Sequence, residues 1–153
     1  MLETLVGAII GAITGALLTG ICTWFIEMRK RKMDKKAQES HAASMLYNDL
    51  KSVENYLEHE RSSVNIRYTT TWQEMISNCN FLDDGEISCL YKIYDEVYNY
   101  NYHYMLIEKE GAVCKEGIEQ YHTLQKMFGI KEKTEKGKAY DDIMHKLEIY
   151  KNQ

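Results

Sequence analysis

Apolar positions along this chain recur at helical spacing. Leu46, Leu50, Val53 and Leu57 follow one another at intervals of 4, 3 and 4, which lines up one face of a helix. "ERSSVNIRY" loses that rhythm and reads as a loop. Thr71 followed by Glu74 has the form of a capping box and predicts a helix over "WQEMISNCNFL". Asp83 with Glu86 repeats the signature before a long helix with Ile87, Leu90, Tyr94, Val97 and Tyr98 on one side, and Gly111 suits its C-cap. The next helix points Cys114, Ile118, Tyr121 and Phe128 inward and ends before Gly129. The last runs from about Glu135 to Tyr150, with Tyr140, Ile143, Leu147 and Tyr150 on its buried face. No glycine or proline interrupts residues 27–60, so one long helix is expected there. The chain of 153 residues contains no proline at all, where about 5% is usual. These patterns predict an all-α protein whose C-terminal part, 41–153, is a small antiparallel bundle.

The N-terminal pattern is different. Thr4 to Ile26 are 23 uncharged residues, against the ~20 that cross a hydrocarbon core. The start is acidic (Glu3) and the basic residues follow, which is unlike a cleaved signal peptide. Residues 1–27 are therefore expected to hold a transmembrane helix over about 4–26, followed by a basic juxtamembrane stalk at 28–40. Trp24 takes the interfacial position, and Arg29, Lys30, Arg31, Lys32, Lys35 and Lys36 face the membrane surface. The positive-inside rule puts the N-terminus outside and the bundle in the cytoplasm, in the cell (inner) membrane.

More than half of "GAIIGAITGALLTG" is Gly, Ala or Thr. At about 100° per residue, Gly7, Gly11 and Gly15 form one column. Ala8, Ala12 and Ala16 form the next, with Thr19 in the same arc. Small residues let helices in lipid approach closely. Two adjacent small columns suit two neighbours, so a homo-oligomer above the dimer is expected, as a ring or pore. The alternative is that Gly and Ala are simply frequent in membrane helices.

Charge sharpens this division. Up to Lys36, six basic residues outweigh three acidic ones; the remaining 13 basic and 20 acidic residues leave that part at −7. An acidic bundle is a poor nucleic-acid binder, so none is expected as a direct partner. The cysteines at 22, 79, 89 and 114 have no CxxC or zinc-like spacing and read as free thiols in a reducing compartment.

Candidate chemistry is thin. Glu119 with His122, and Asp142 with His145, have the carboxylate-x-x-His form of di-metal bundles. Yet Glu119 points about 160° from Tyr121, and His145 about 160° from Leu147, so both pairs belong to solvent faces. There is no Gly-rich phosphate loop and no nucleophile–histidine arrangement. No enzymatic activity, cofactor or metal is expected. Of the 12 tyrosines, six lie in "LYKIYDEVYNYNYHY". Core packing with the hydroxyl at a wet edge is one reading; a partner surface using Tyr100, His103 and Tyr104 is the other. Asn101 in that row reads either as a buried polar specificity device or as a surface residue.

One apolar helix, a basic juxtamembrane stretch and an all-helical cytoplasmic domain together resemble the small membrane accessory proteins encoded beside RNA-guided, RNA-targeting nucleases. That family has a HEPN-like domain, and the resemblance implies a ring-shaped membrane pore that supports phage defence. It covers the chain in outline, through layout and helical pattern. HEPN ribonucleases carry Arg, a few residues, then His. Arg29, Arg31, Arg61 and Arg67 have no such partner here, so ribonuclease activity is not implied. The expectation is thus a membrane protein that oligomerises and perturbs the bilayer. Its rival is a membrane-tethered adaptor whose tyrosine-rich bundle recruits a cytosolic protein.

Overall fold

A computed structural model describes residues 2–59, 66–110, 115–130 and 135–152, with side chains at 14–59, 66–106, 117–130 and 137–152. Five helices occur among the described residues: α1 (Leu2–Glu58), α2 (Trp72–Asn78), α3 (Asp84–Glu110), α4 (Lys115–Met127) and α5 (Glu135–Lys151). There is no strand among those residues. The chain divides into two compact units, residues 1–37 and 38–153.

The second unit is a helical bundle. Its core is built on one face of α1, where Ala42, Ala43, Leu46, Leu50, Val53 and Leu57 are all buried. The 4-3-4 seam expected for this helix is therefore its inner face. Leu90, Ile93, Tyr94 and Val97 of α3, Leu124 and Phe128 of α4, and Tyr140, Ile143 and Leu147 of α5 complete the core. The α4 helix packs on α3 and α5, and α3 also contacts α5 and α2.

Two ends are set by local chemistry. Asp83 and Glu86 form the expected reciprocal cap: the Asp83 N–H donates to Glu86 Oε2 at 2.9 Å, and the Glu86 N–H to Asp83 Oδ1 at 2.9 Å. Lys146 of α5 then closes on Glu86 at 2.6 Å, tying the start of α3 to the last helix. At the end of α4, Gly129 adopts φ 68°. Its N–H donates to the Lys126 carbonyl at 3.2 Å, and the Ile130 N–H to the Gln125 carbonyl at 3.0 Å, the paired bonds of a Schellman motif. A Cβ on Gly129 would also sit 3.3 Å from Gly137 Cα.

Other ends depend on tertiary partners. The Leu57 carbonyl, in the last turn of α1, accepts from the Tyr121 hydroxyl at 3.1 Å and from Gln125 Nε2 at 3.4 Å, both on α4. Two side chains hold the segment 66–69. Asp49 Oδ2 accepts the Thr69 N–H at 2.9 Å. Asn101 accepts the Ile66 N–H at 2.9 Å and donates Nδ2 to the Ile66 carbonyl at 2.8 Å. Asn101 is thus a half-buried clamp on a backbone segment, which neither sequence reading described.

Four expectations need correction. The α2 helix stops at Asn78 and does not continue to Leu82. Cys79 leaves the helical region at ψ 70° and its N–H reaches back to the Ile76 carbonyl, while Asn80 Nδ2 turns to Glu39 on α1. Thr71 makes no side-chain cap; its hydroxyl pairs with that of Thr69 at 3.3 Å. Tyr98 is 60% exposed, because the core face of α3 is centred on Leu90, Ile93 and Val97 and turns toward Tyr100. Ile118 is 49% exposed, since the inward line of α4 passes through Gly117 instead. Gly111 and Cys114 lie outside the described residues.

Leu50→Ala should lower stability by about 2–5 kcal/mol, the range for a fully buried leucine truncated in a packed core. Gly129→Ala should cost about 1–2 kcal/mol through its left-handed backbone. Denaturant midpoints of the intact chain in mild detergent, followed by circular dichroism, measure both; unchanged midpoints would contradict this packing.

Candidate functional site

In the first unit the described side chains, 14–37, are all exposed. Leu17, Leu18, Ile21, Trp24, Phe25 and Ile26 are among them. The Thr19 hydroxyl donates to the Gly15 carbonyl at 2.8 Å, and the Thr23 hydroxyl to the Thr19 carbonyl at 2.9 Å. Both hydroxyls are thus satisfied by the helix's own backbone and need no outside acceptor. A Cβ on Gly15 or Gly20 would meet nothing within 4 Å. Trp24 and Phe25 form an edge-on pair with centroids 5.1 Å apart. Arg29, Lys30, Arg31, Lys32, Lys35 and Lys36 follow, all exposed.

Among the described residues no helix is long and apolar enough to cross a membrane. The expected span of about 4–26 is only partly described, for the side chains up to residue 13 lie outside the described set. Of the small-residue arc, Gly15, Ala16 and Thr19 are described and exposed; Gly7, Ala8, Gly11 and Ala12 lie outside those residues.

The tyrosines form the second candidate region. Tyr100 is only 5% exposed and cannot belong to a free surface, a correction to the expected Tyr100, His103 and Tyr104 patch. Its hydroxyl lies 2.9 Å from that of Tyr56 on α1, which draws the ring inward. His103 and Tyr104 are half-buried. The Tyr94 hydroxyl donates to Asp49 Oδ2 at 3.1 Å, and the Tyr140 hydroxyl to Glu54 Oε2 at 3.1 Å. Burial, reinforced by these α1 carboxylates, raises the pKa of Tyr94 and Tyr140; burial with the Tyr56 hydroxyl raises that of Tyr100. Tyr94 and Tyr140 act as hydrogen-bond donors, and all three hydroxyls hold their protons.

What remains outside on α3 is a different set. Tyr91, Tyr98, Tyr102 and Met105 are all exposed, and their spacing of 7, 4 and 3 keeps them on one side of the helix. Heptad-like spacing was the available signal, but tyrosines at 94 and 100 mask it. Beside Tyr91, Trp72 stacks on Tyr94 with centroids 4.7 Å apart.

A shallow polar cleft of about 230 Å³ lies between α1 and α5, lined by Tyr47, Lys51, Glu54, Tyr140, His145 and Glu148 among others. Its groups are engaged with one another: Lys51 bonds Glu54 at 2.6 Å, and the Tyr47 hydroxyl donates to Glu148 at 3.5 Å. Glu119, His122, Asp142 and His145 are exposed, and no three His, Cys, Asp or Glu side chains among the described residues are grouped to hold a metal ion. The buried Cys79 thiol is pushed up to about 12 by desolvation, which leaves it without thiolate character. Cys22 is also a free thiol. Compared with family models, with curated proteins and with solved structures, the chain finds no match.

Asp49 has a carboxyl pKa raised above its ordinary 3.8, chiefly by burial and against the opposing bonds from Thr69 and Tyr94. The native state therefore holds the proton to higher pH than the unfolded chain, and the stability this carboxyl contributes falls as pH rises from 3.8 through its raised folded pKa. Asp49→Asn keeps an oxygen for both donors and should flatten that slope. Asp49→Ala strands the Thr69 N–H and the Tyr94 hydroxyl and should cost about 1–3 kcal/mol. Denaturant midpoints across a pH series distinguish the two; equal midpoints for both variants would contradict this account.

Proposed function

We propose that the chain is a single-pass protein of the cell (inner) membrane that self-associates through the small-residue side of α1. Gly15, Ala16 and Thr19 form the described part of that side, and Gly7, Ala8, Gly11 and Ala12 continue it. The observation behind this reading is the surface of residues 14–26: six large apolar side chains are exposed, while two threonine hydroxyls turn back onto their own helix. An apolar surface of that extent calls for lipid or a partner helix. The bundle stands on the cytoplasmic side, following the basic residues. The assembly acts by perturbing the membrane as a ring or pore, in phage defence, an activity proposed on the resemblance in layout. No catalytic step is part of it.

The exposed row of Tyr91, Tyr98, Tyr102 and Met105 favours a second reading. In that reading the helix only anchors, and the bundle recruits a cytosolic protein through α3.

The mass of the intact protein in mild detergent, beside Gly11→Leu and Gly15→Leu, separates the two. A side chain at Gly15 begins in open space within one chain, so an effect of Gly15→Leu on assembly acts between copies. Self-association predicts a discrete oligomer above the dimer that both variants lose while staying in the membrane fraction. A monomer or dimer untouched by either substitution would overturn it and leave the anchor, for which a poly-leucine segment should preserve partner binding.

A further inference from the structure

The basic residues of α1 have an arrangement that charge counting alone does not reveal. Arg29, Lys30, Arg31, Lys32, Lys35 and Lys36 are all exposed. At about 100° per residue they encircle the helix with no gap wider than about 100°. The two acidic residues of the region, Glu27 and Asp34, both fall in the single sector between Lys30 and Arg31. An amphipathic helix lying flat on a bilayer gathers its cations on one face, and a helix laid along nucleic acid does the same. A full circle of cations suits a helix surrounded by negative charge on every side. The six residues span about 10 Å of axis, a depth comparable with that of a headgroup layer. The exposed Trp24–Phe25 pair immediately precedes them, at the level where aromatic side chains mark the interface.

We propose that this stretch is a collar that recruits anionic phospholipid headgroups around the whole circumference of α1. The inference rests on the membrane reading above and adds to it a lipid class. Long lysine and arginine side chains reach outward to headgroup phosphates, and the excess positive charge enriches lipids of net negative charge over zwitterionic ones. Copies that assemble side by side through the small-residue arc would then carry a shell of anionic lipid at their cytoplasmic rim.

Tryptophan quenching tests this on the full chain. The protein contains two tryptophans, and Trp72→Phe leaves Trp24 as the reporter; the wild-type chain is measured alongside because Trp72 stacks on Tyr94. The chain is reconstituted in vesicles of phosphatidylcholine with either brominated phosphatidylglycerol or brominated phosphatidylcholine at equal mole fraction. The collar predicts roughly twofold stronger quenching by the anionic lipid. Raised salt should reduce the excess, and Lys30→Gln, Lys32→Gln and Lys36→Gln combined should remove it. Equal quenching by both lipids would overturn the collar and leave the membrane reading standing. Quenching by neither would overturn the membrane reading, and the collar with it.

Discussion

The bundle depends on one stretch of α1, residues 42–57, doing two opposed things at once. Its inner face is stripped of water by Ala42, Leu46, Leu50, Val53 and Leu57, which provides the main drive for folding. The edges of the same stretch offer Asp49, Glu54, Tyr56 and the Leu57 carbonyl to hydroxyl groups on α3, α4 and α5. A buried tyrosine contributes a large ring but carries a hydroxyl that is costly to leave unpaired. Each helix that brings such a ring to the core must therefore reach one of those acceptors. The acceptors consequently fix where Tyr94, Tyr100, Tyr121 and Tyr140 point, and through them how the helices are placed around α1.

The same bonds account for part of the high tyrosine content. Four rings are consumed by the core and its edge, and two carboxylates that would be costly to bury alone are held by hydroxyl donors. The conformational role of Asn101 and Asp49 has the same logic: each binds backbone groups of the 66–69 segment that lack a helical partner. The surfaces that stand out are an exposed apolar stretch of α1 whose Thr19 and Thr23 hydroxyls bond its own backbone, the basic residues that follow it, and an aromatic row on α3.

The first unit has the opposite character. Residues 14–37 show no buried side chain, and an apolar surface of that extent finds stability in lipid or against another helix. Association in lipid depends on close approach rather than on hydrophobic gain, which gives glycine a use there that it lacks in a soluble helix. Gly15 and Gly20, with open space where a side chain would begin, contrast with Gly129, whose left-handed backbone and contact with Gly137 require glycine within one chain.

Local spacing by itself determined the helical class, the α1 seam, the buried line of α5, the Asp83–Glu86 cap and the glycine that ends α4. Each depends on residues within a turn or two of one another, where 3.6-residue periodicity and backbone hydrogen bonding decide the outcome. It did not decide that Tyr100 faces in and Tyr98 out, that α4 turns Gly117 inward rather than Ile118, or that α2 ends four residues early. Nor did it reveal that Asn101 clamps Ile66. Those outcomes bring in partners far away in sequence: Tyr100 meets Tyr56, Asn80 meets Glu39 and Asn101 meets Ile66, and spacing within one helix carries no information about such partners.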